Sequence, residues 1–222
     1  VSNIFNKTDA FDCALNCKPL LAAARYLLGD FKVHGANVRE PERGAGQQFL
    51  HSDVTRLPDG GWRVINALIL LDDMTLENGP TRVVPGSHNW PAINVPGENV
   101  IKESTAALIS GPDETQGWVV EGKETSNQDV VVSGTGQDGI TPENPFAPYP
   151  GEEVLTAPAG TVIVTNAHLW HSGTRNHSGA RRRMLHLSYT PRGQPQQFDQ
   201  RANLTPALYN RMSAVRRYLL GI

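Results

Sequence analysis

His51 and Asp53 stand two residues apart in the segment Gln47-Gln48-Phe49-Leu50-His51-Ser52-Asp53. On an extended backbone, residues i and i+2 point to the same side, so an imidazole and a carboxylate would converge on one point. These are two members of a 2-His-1-carboxylate facial triad, which grips a divalent metal from one side and leaves three adjacent positions open. A chelating keto acid would fill two of those positions and O2 the third. A lone His-x-Asp arises by chance in many chains, so the pair matters only if a second histidine joins it.

The segment Gly160 to His171 supplies a candidate. It reads as a strand leading to a histidine, followed by a polar stretch, Arg181-Arg182-Arg183, and an apolar run at 183–189 that can return as a second strand. A turn between these strands would bring an arginine beside the His171 end of the sheet. A guanidinium there could hold a carboxylate by two parallel hydrogen bonds, which a lysine cannot match. The other histidines read differently. His168 lies an odd number of residues from His171 and should face away on a strand. His88 and His177 fall in turns, and His34 sits on an early strand. His186 shares a face with Arg182 and either lines the pocket or is a hydrogen-bonded core residue. Trp90 and Trp118, in the long loops, are candidates to stack on a substrate.

The elements that must position these side chains are mostly β. Short apolar runs at 62–71, 81–84, 161–165 and 183–189 are each bounded by Gly, Pro, Asn or Asp, and 21 Gly and 16 Pro supply turns. No strand–helix alternation of the parallel α/β kind is visible. Helical signals cluster at the ends. Residues 19–28 begin with Pro19 and stop at Gly29. Residues 205–220 begin with Thr205 and Pro206, carry Leu208, Met212, Val215 and Leu219 at helical spacing, and stop at Gly221. An antiparallel sandwich or barrel with flanking helices fits this order. Residues 89–159, rich in Gly, Pro, Ser, Thr and Asn, hold little periodicity and are expected to form a lid or binding loops on one domain spanning 1–222.

The 222 residues, 39% hydrophobic and 19% charged, suit one compact core. A net charge of −2 argues against a nucleic-acid or anionic-membrane surface. No apolar run approaches a bilayer span and no signal-peptide pattern opens the chain. Cys13 and Cys17 are too few for a disulfide framework and read as packing residues, which makes a reducing cytoplasm the default compartment.

The chain resembles the phytanoyl-CoA dioxygenase family of Fe(II)/2-oxoglutarate oxygenases. The resembling stretches are His51-Ser-Asp53, Leu71 through His88 with its Glu-Asn-Gly-Pro…Val-Pro-Gly-Ser-His run, and Gly160 through Tyr189. The resemblance implies a mainly β, double-stranded β-helix (jelly-roll, cupin-like) core. It also implies that His51, Asp53 and His171 bind Fe(II). Arg182, eleven residues beyond His171, would pair with 2-oxoglutarate, with Gln48 and Thr81 as further contacts. The implied activity is hydroxylation of a small molecule by O2 with release of succinate and CO2. Retention of Asp53 disfavours halogenation, since related halogenases carry a small residue there. Two other readings use the same residues: a cupin-like hydrolase or isomerase with Zn or Mn, and a jelly-roll binding protein without chemistry. The chain departs from the family in starting after a strand and helix that members usually carry, and in the length between Asp53 and His171.

Overall fold

The computed structural model describes residues 1–96, 135–136 and 138–222. Its strands are β1 (Phe31–Arg39), β2 (Ile65–Leu70), β3 (Thr81–Val83), β4 (Glu153–Val154), β5 (Val162–Asn166), β6 (His171–Gly173) and β7 (Met184–Pro191). The helices are α1 (Lys18–Leu28), α2 (Pro206–Arg211) and α3 (Ala214–Leu220). One antiparallel sheet has the order β1-β7-β2-β5, and a smaller one has the order β4-β3-β6.

Alternation along β7 separates the two faces of the larger sheet. Leu185, Leu187 and Tyr189 point outward with Ile65 and Ala67 of β2, onto the helices that carry Leu20, Ala24, Leu208, Leu219 and Leu220. Burying a leucine such as Leu187 stabilises the fold by about 1.5–3 kcal/mol, so this helix-backed face carries much of the core. The opposite residues of the same strands turn inward. Met184 meets Leu68, Leu70 and Met74 there in a second apolar cluster. The expected jelly roll with flanking helices is therefore the observed architecture.

The smaller sheet is extended by irregular backbone. Gln48 N–H donates to Gly173 O at 2.9 Å, Asn176 N–H donates to Ala45 O at 2.9 Å, and His51 and His171 form an isolated antiparallel bridge. Residues 45–51 thus run alongside β6, bonded to it at Gly173 and His171. Close approach is possible because residue 173 is glycine: a Cβ there would lie 2.7 Å from Gly46 O.

The Glu77-Asn78-Gly79-Pro80 run is a turn into β3. Asn78 Oδ1 accepts from Thr75 N–H at 2.8 Å, its Nδ2 donates to Asp73 O at 2.8 Å, and Gly79 takes φ 84°. Positive φ is cheap for glycine and strained for other residues. Downstream, Ser87 Oγ donates to Val84 O at 2.7 Å and accepts from Trp170 N–H at 2.8 Å, tying this run to the strand that leads into His171. Trp170 is fully buried, with edge contacts to Trp90 and Tyr149.

Four expectations need correction. The run at 62–71 narrows to a strand over Ile65–Leu70. The helix read over 205–220 is two helices, because Met212 is extended and Ser213 Oγ caps the second by accepting from Arg216 N–H at 3.1 Å. Val215, placed on the apolar stripe, is exposed. Residues 89–159 are not wholly irregular: β4 lies within them, and Tyr149 packs into a cluster with Leu50, Val84, Ile93 and Trp170. The remainder of that expected lid, with Trp118, lies outside the described residues. Among the described residues, no helix is long and apolar enough to cross a membrane.

Candidate metal and oxoacid site

His51 and His171 face each other across the bridge, with ring centroids 4.4 Å apart. His51 Nδ1 lies 2.8 Å from Phe49 O, and His171 Nδ1 lies 2.7 Å from Leu169 O. A carbonyl accepts only, so each Nδ1 carries the proton and each neutral ring presents a bare Nε2. Both Nε2 atoms lie 3.6 Å from Asp53 Oδ1. The ligand atoms of the three residues fall within 4.8 Å of one another, close enough to hold one metal ion. Asp53 itself is fixed by its backbone N–H, which donates to Ala167 O at 3.0 Å, and by Asn66 Nδ2, which donates to Asp53 Oδ2 at 2.5 Å.

The electrostatics follow from that crowding. Burial pushes the Asp53 carboxyl up, but the neighbouring imidazoles, His171 foremost, outweigh it and hold the group well below the usual carboxylate range. Burial and the adjacent His171 push His51 down. Burial also disfavours charge on His171, yet Asp53 outweighs it and raises this residue above its ordinary value. A cation placed among the two Nε2 atoms and Asp53 Oδ1 would meet two bare imidazole nitrogens and one ionised carboxylate.

The three consecutive arginines have three fates. Arg181 donates from Nε to Glu40 at 2.8 Å on the surface. Arg183 forms a two-pronged pair with Asp72, Nε to Oδ2 at 2.8 Å and Nη2 to Oδ1 at 2.7 Å. Arg182 is buried, and its Nε and Nη1 meet no acceptor among the described residues. Burial pulls its pKa down to about 10, so it remains charged at neutral pH. A buried, unpaired guanidinium is costly, and the polar atoms it leaves open fit a carboxylate from outside the chain.

The other sequence candidates divide. Thr81 stands opposite Gly173, and Val83 opposite His171, which puts Thr81 on the inner, His171-bearing face. Gln48 Oε1 accepts from Gly173 N–H at 2.8 Å, so its carboxamide rests on the strand end beside His171. His168 is buried against Trp62, outside the metal-ligand group, as its odd offset implied. His186 faces inward from β7, half-buried, with its pKa pushed down by burial to about 4. Trp90 packs on Trp170 and Tyr149 rather than standing free.

Sequence reasoning missed Asn66, Arg82 and Asn176. Asn66 could have been noticed as an amide inside the apolar run Ile65–Leu70. Arg82 lies on the outer side of β3, bonded to Ser172 Oγ, to Pro145 O at 2.8 Å, to Ala147 O at 2.6 Å and to Glu152 at 3.1 Å. It straps irregular chain to the strand that bears His171. Asn176 is buried, and its side chain bonds Gly179 N–H, Ala180 O and Pro41 O within the turn before Arg182.

A jelly roll with a His–Asp–His group inside it defines a class of mononuclear non-haem metalloprotein. The family model for phytanoyl-CoA dioxygenase (PhyH) matches residues 3–184, and the chain belongs to that family. L-proline trans-4-hydroxylase of Streptomyces griseoviridis is 31% identical over 183 residues, covering 77% of this chain and 59% of the relative. A probable alpha-ketoglutarate-dependent hypophosphite dioxygenase of Stutzerimonas stutzeri is 26% identical over 183 residues, covering 82% and 53%. The chain thus spans less than two thirds of the length of these relatives. HygX from Streptomyces hygroscopicus, solved with nickel and 2-oxoglutarate bound, shares the fold at a TM-score of 0.55 and 16% identity, covering 93% of this chain and 77% of HygX.

Proposed function

We propose that this chain is an Fe(II)- and 2-oxoglutarate-dependent dioxygenase that hydroxylates a small-molecule substrate, with His51, Asp53 and His171 as the iron ligands. The observation that carries the reading is Arg182: a buried guanidinium with open polar atoms, in a fold whose interior also holds a 2-His-1-carboxylate group. A hydrolytic metal site on the same ligands leaves that arginine without a role. The relatives support the cofactor, since one is named for alpha-ketoglutarate dependence and a fold neighbour was solved with 2-oxoglutarate.

In this reading the two imidazoles and Asp53 Oδ1 hold iron on one side. Arg182 pairs with the distal carboxylate of the keto acid, and Thr81 and Gln48 line its site. Iron held by these residues with 2-oxoglutarate would supply the oxidising power for the net reaction, in which one atom of O2 would enter a substrate C–H bond and the other succinate, with loss of CO2. The chain's own part is placement and exclusion of water. Residues 1–222 form one such domain, with 89–159 as its substrate-selecting insertion. The substrate is a small molecule, as for the proline hydroxylase and for HygX, which was also solved with hygromycin B. Cys13 and Cys17 are both free, which supports a reducing, cytoplasmic setting.

Anaerobic titration of the purified protein with Fe(II) and then 2-oxoglutarate tests this. A weak visible charge-transfer band should grow with the keto acid. Iron bound in full with no such band would overturn the reading.

A further inference from the structure

We infer that Asn66 is a positioning residue that keeps Asp53 a one-oxygen ligand. The inference rests on the iron and 2-oxoglutarate reading above and extends it to a residue that touches neither group.

Asn66 is an amide in the run Ile-Asn-Ala-Leu-Ile-Leu, 4% exposed in the middle of the larger sheet. A buried polar group is tolerated where it finds a partner. The partner is the site: its Nδ2 donates to Asp53 Oδ2 at 2.5 Å. The flanking strands do not compete for it. Asn66 stands opposite Ser188 on β7 and Thr165 on β5, and the Ser188 hydroxyl donates to Gly35 O instead.

The two oxygens of Asp53 are thereby given different tasks. Oδ1 lies 3.6 Å from each histidine Nε2, where an ion would sit. Oδ2 is occupied by an amide N–H. A carboxylate with both oxygens free can grip a divalent ion through both, as carboxylates at calcium sites do. In an octahedral site, two imidazoles and one carboxylate oxygen leave three positions. A second carboxylate oxygen would leave two. A bidentate keto acid and O2 together need three. The hydrogen bond from Asn66 therefore protects the position on which cofactor and oxygen chemistry depend. An aspartate at 66 would offer no amide donor, and a serine would be too short to reach.

The test separates iron from keto acid. Wild type, Asn66→Leu and Asn66→Ala are titrated anaerobically with Fe(II), then with 2-oxoglutarate, following the charge-transfer band. The leucine keeps the volume and the alanine only removes atoms, so one variant serves if the other fails to fold. Both should keep Fe(II) better than outer-shell changes usually do, because the freed Oδ2 can join Oδ1 on the ion, but bind 2-oxoglutarate to the iron form roughly 10–100-fold more weakly, with the band displaced. Parallel loss of iron and keto acid, or no change in either, would overturn the role of Asn66 while leaving the oxygenase reading intact. Failure of wild type to bind 2-oxoglutarate on iron would overturn both.

Discussion

His51 and His171 exchange both backbone hydrogen bonds, N–H to O at 3.0 and 2.9 Å, so the two imidazoles are direct cross-strand neighbours. The bridge that sets them side by side is made by backbone and survives a change of side chain. His171→Ala should keep its secondary structure by circular dichroism. Its Fe(II) affinity should fall by more than about a hundredfold, beyond what outer-shell changes cost. Anaerobic iron titration reads this, and an iron affinity unchanged from wild type would remove His171 from the ligand set.

Arg182 is where activity and stability should part. Arg182→Ala should weaken 2-oxoglutarate binding by about 1.5–3 kcal/mol, the range for hydrogen bonds to charged groups, with Fe(II) affinity unchanged. Arg182→Met replaces an unpaired buried cation by an apolar side chain of similar length, so the ligand-free protein should gain about 1–3 kcal/mol in stability. Thermal melts with and without 2-oxoglutarate check both halves. The melting temperature of wild type should rise with the cofactor, and that of Arg182→Met should not.

Acid should act first on the turn that presents Arg182. The Arg183 side chain, then its backbone N–H, hold Asp72 down from 3.8 to about 2. The folded value lies below the unfolded one, so the stabilisation is fully present above about pH 4. It is lost as the pH falls toward 2. Urea midpoints between pH 5 and pH 2 should drop less steeply for Asp72→Asn than for wild type, at a lower starting stability.

Gly173 is constrained by contact rather than by φ. A methyl group there would lie 2.7 Å from Gly46 O and 2.9 Å from Gln48 Oε1. Gly173→Ala should therefore cost about 1–3 kcal/mol and push the 45–51 segment off β6, lowering iron affinity through His51. A melt together with an iron titration would show the two losses together, and an unchanged melting temperature would refute the packing account.

Much of this was readable in the chain. His51 and Asp53 carry their own geometry, since a spacing of two on extended backbone needs no tertiary knowledge. The Asn78-Gly79 turn and the Thr205, Gly29 and Gly221 helix boundaries are local chemistry and stand as read. Strand β1 was read only as an early strand around His34, its bounds hidden because a bulge between Val33 and Gly35 breaks its alternation. Strand β6 is three residues long and polar, and it is a strand only because β3 and the 45–51 segment flank it. The break at Met212 was missed because Leu208, Met212 and Leu219 keep helical spacing across a cap that Ser213 supplies. Asn66 is flagged locally only as an amide in an apolar run, and its partner Asp53 is not; Arg82 was beyond local reading, because its partners Ser172, Pro145, Ala147 and Glu152 are far away in sequence.

The alternation of Arg181, Arg182 and Arg183 between outside, inside and outside ties chemistry to arithmetic. Glu40 and Asp72 pin the outer two, and the side-chain period of a strand is two. Met184 onward is held in register by β1 and β2, so a deletion in 174–180 would be taken up within the loop and would reach Arg182 through loss of the Asn176 bonds to Gly179, Ala180 and Pro41. The buried amide of Asn176, more than the residue count between His171 and Arg182, is thus what a change in this loop must spare for the inward arginine to keep its place.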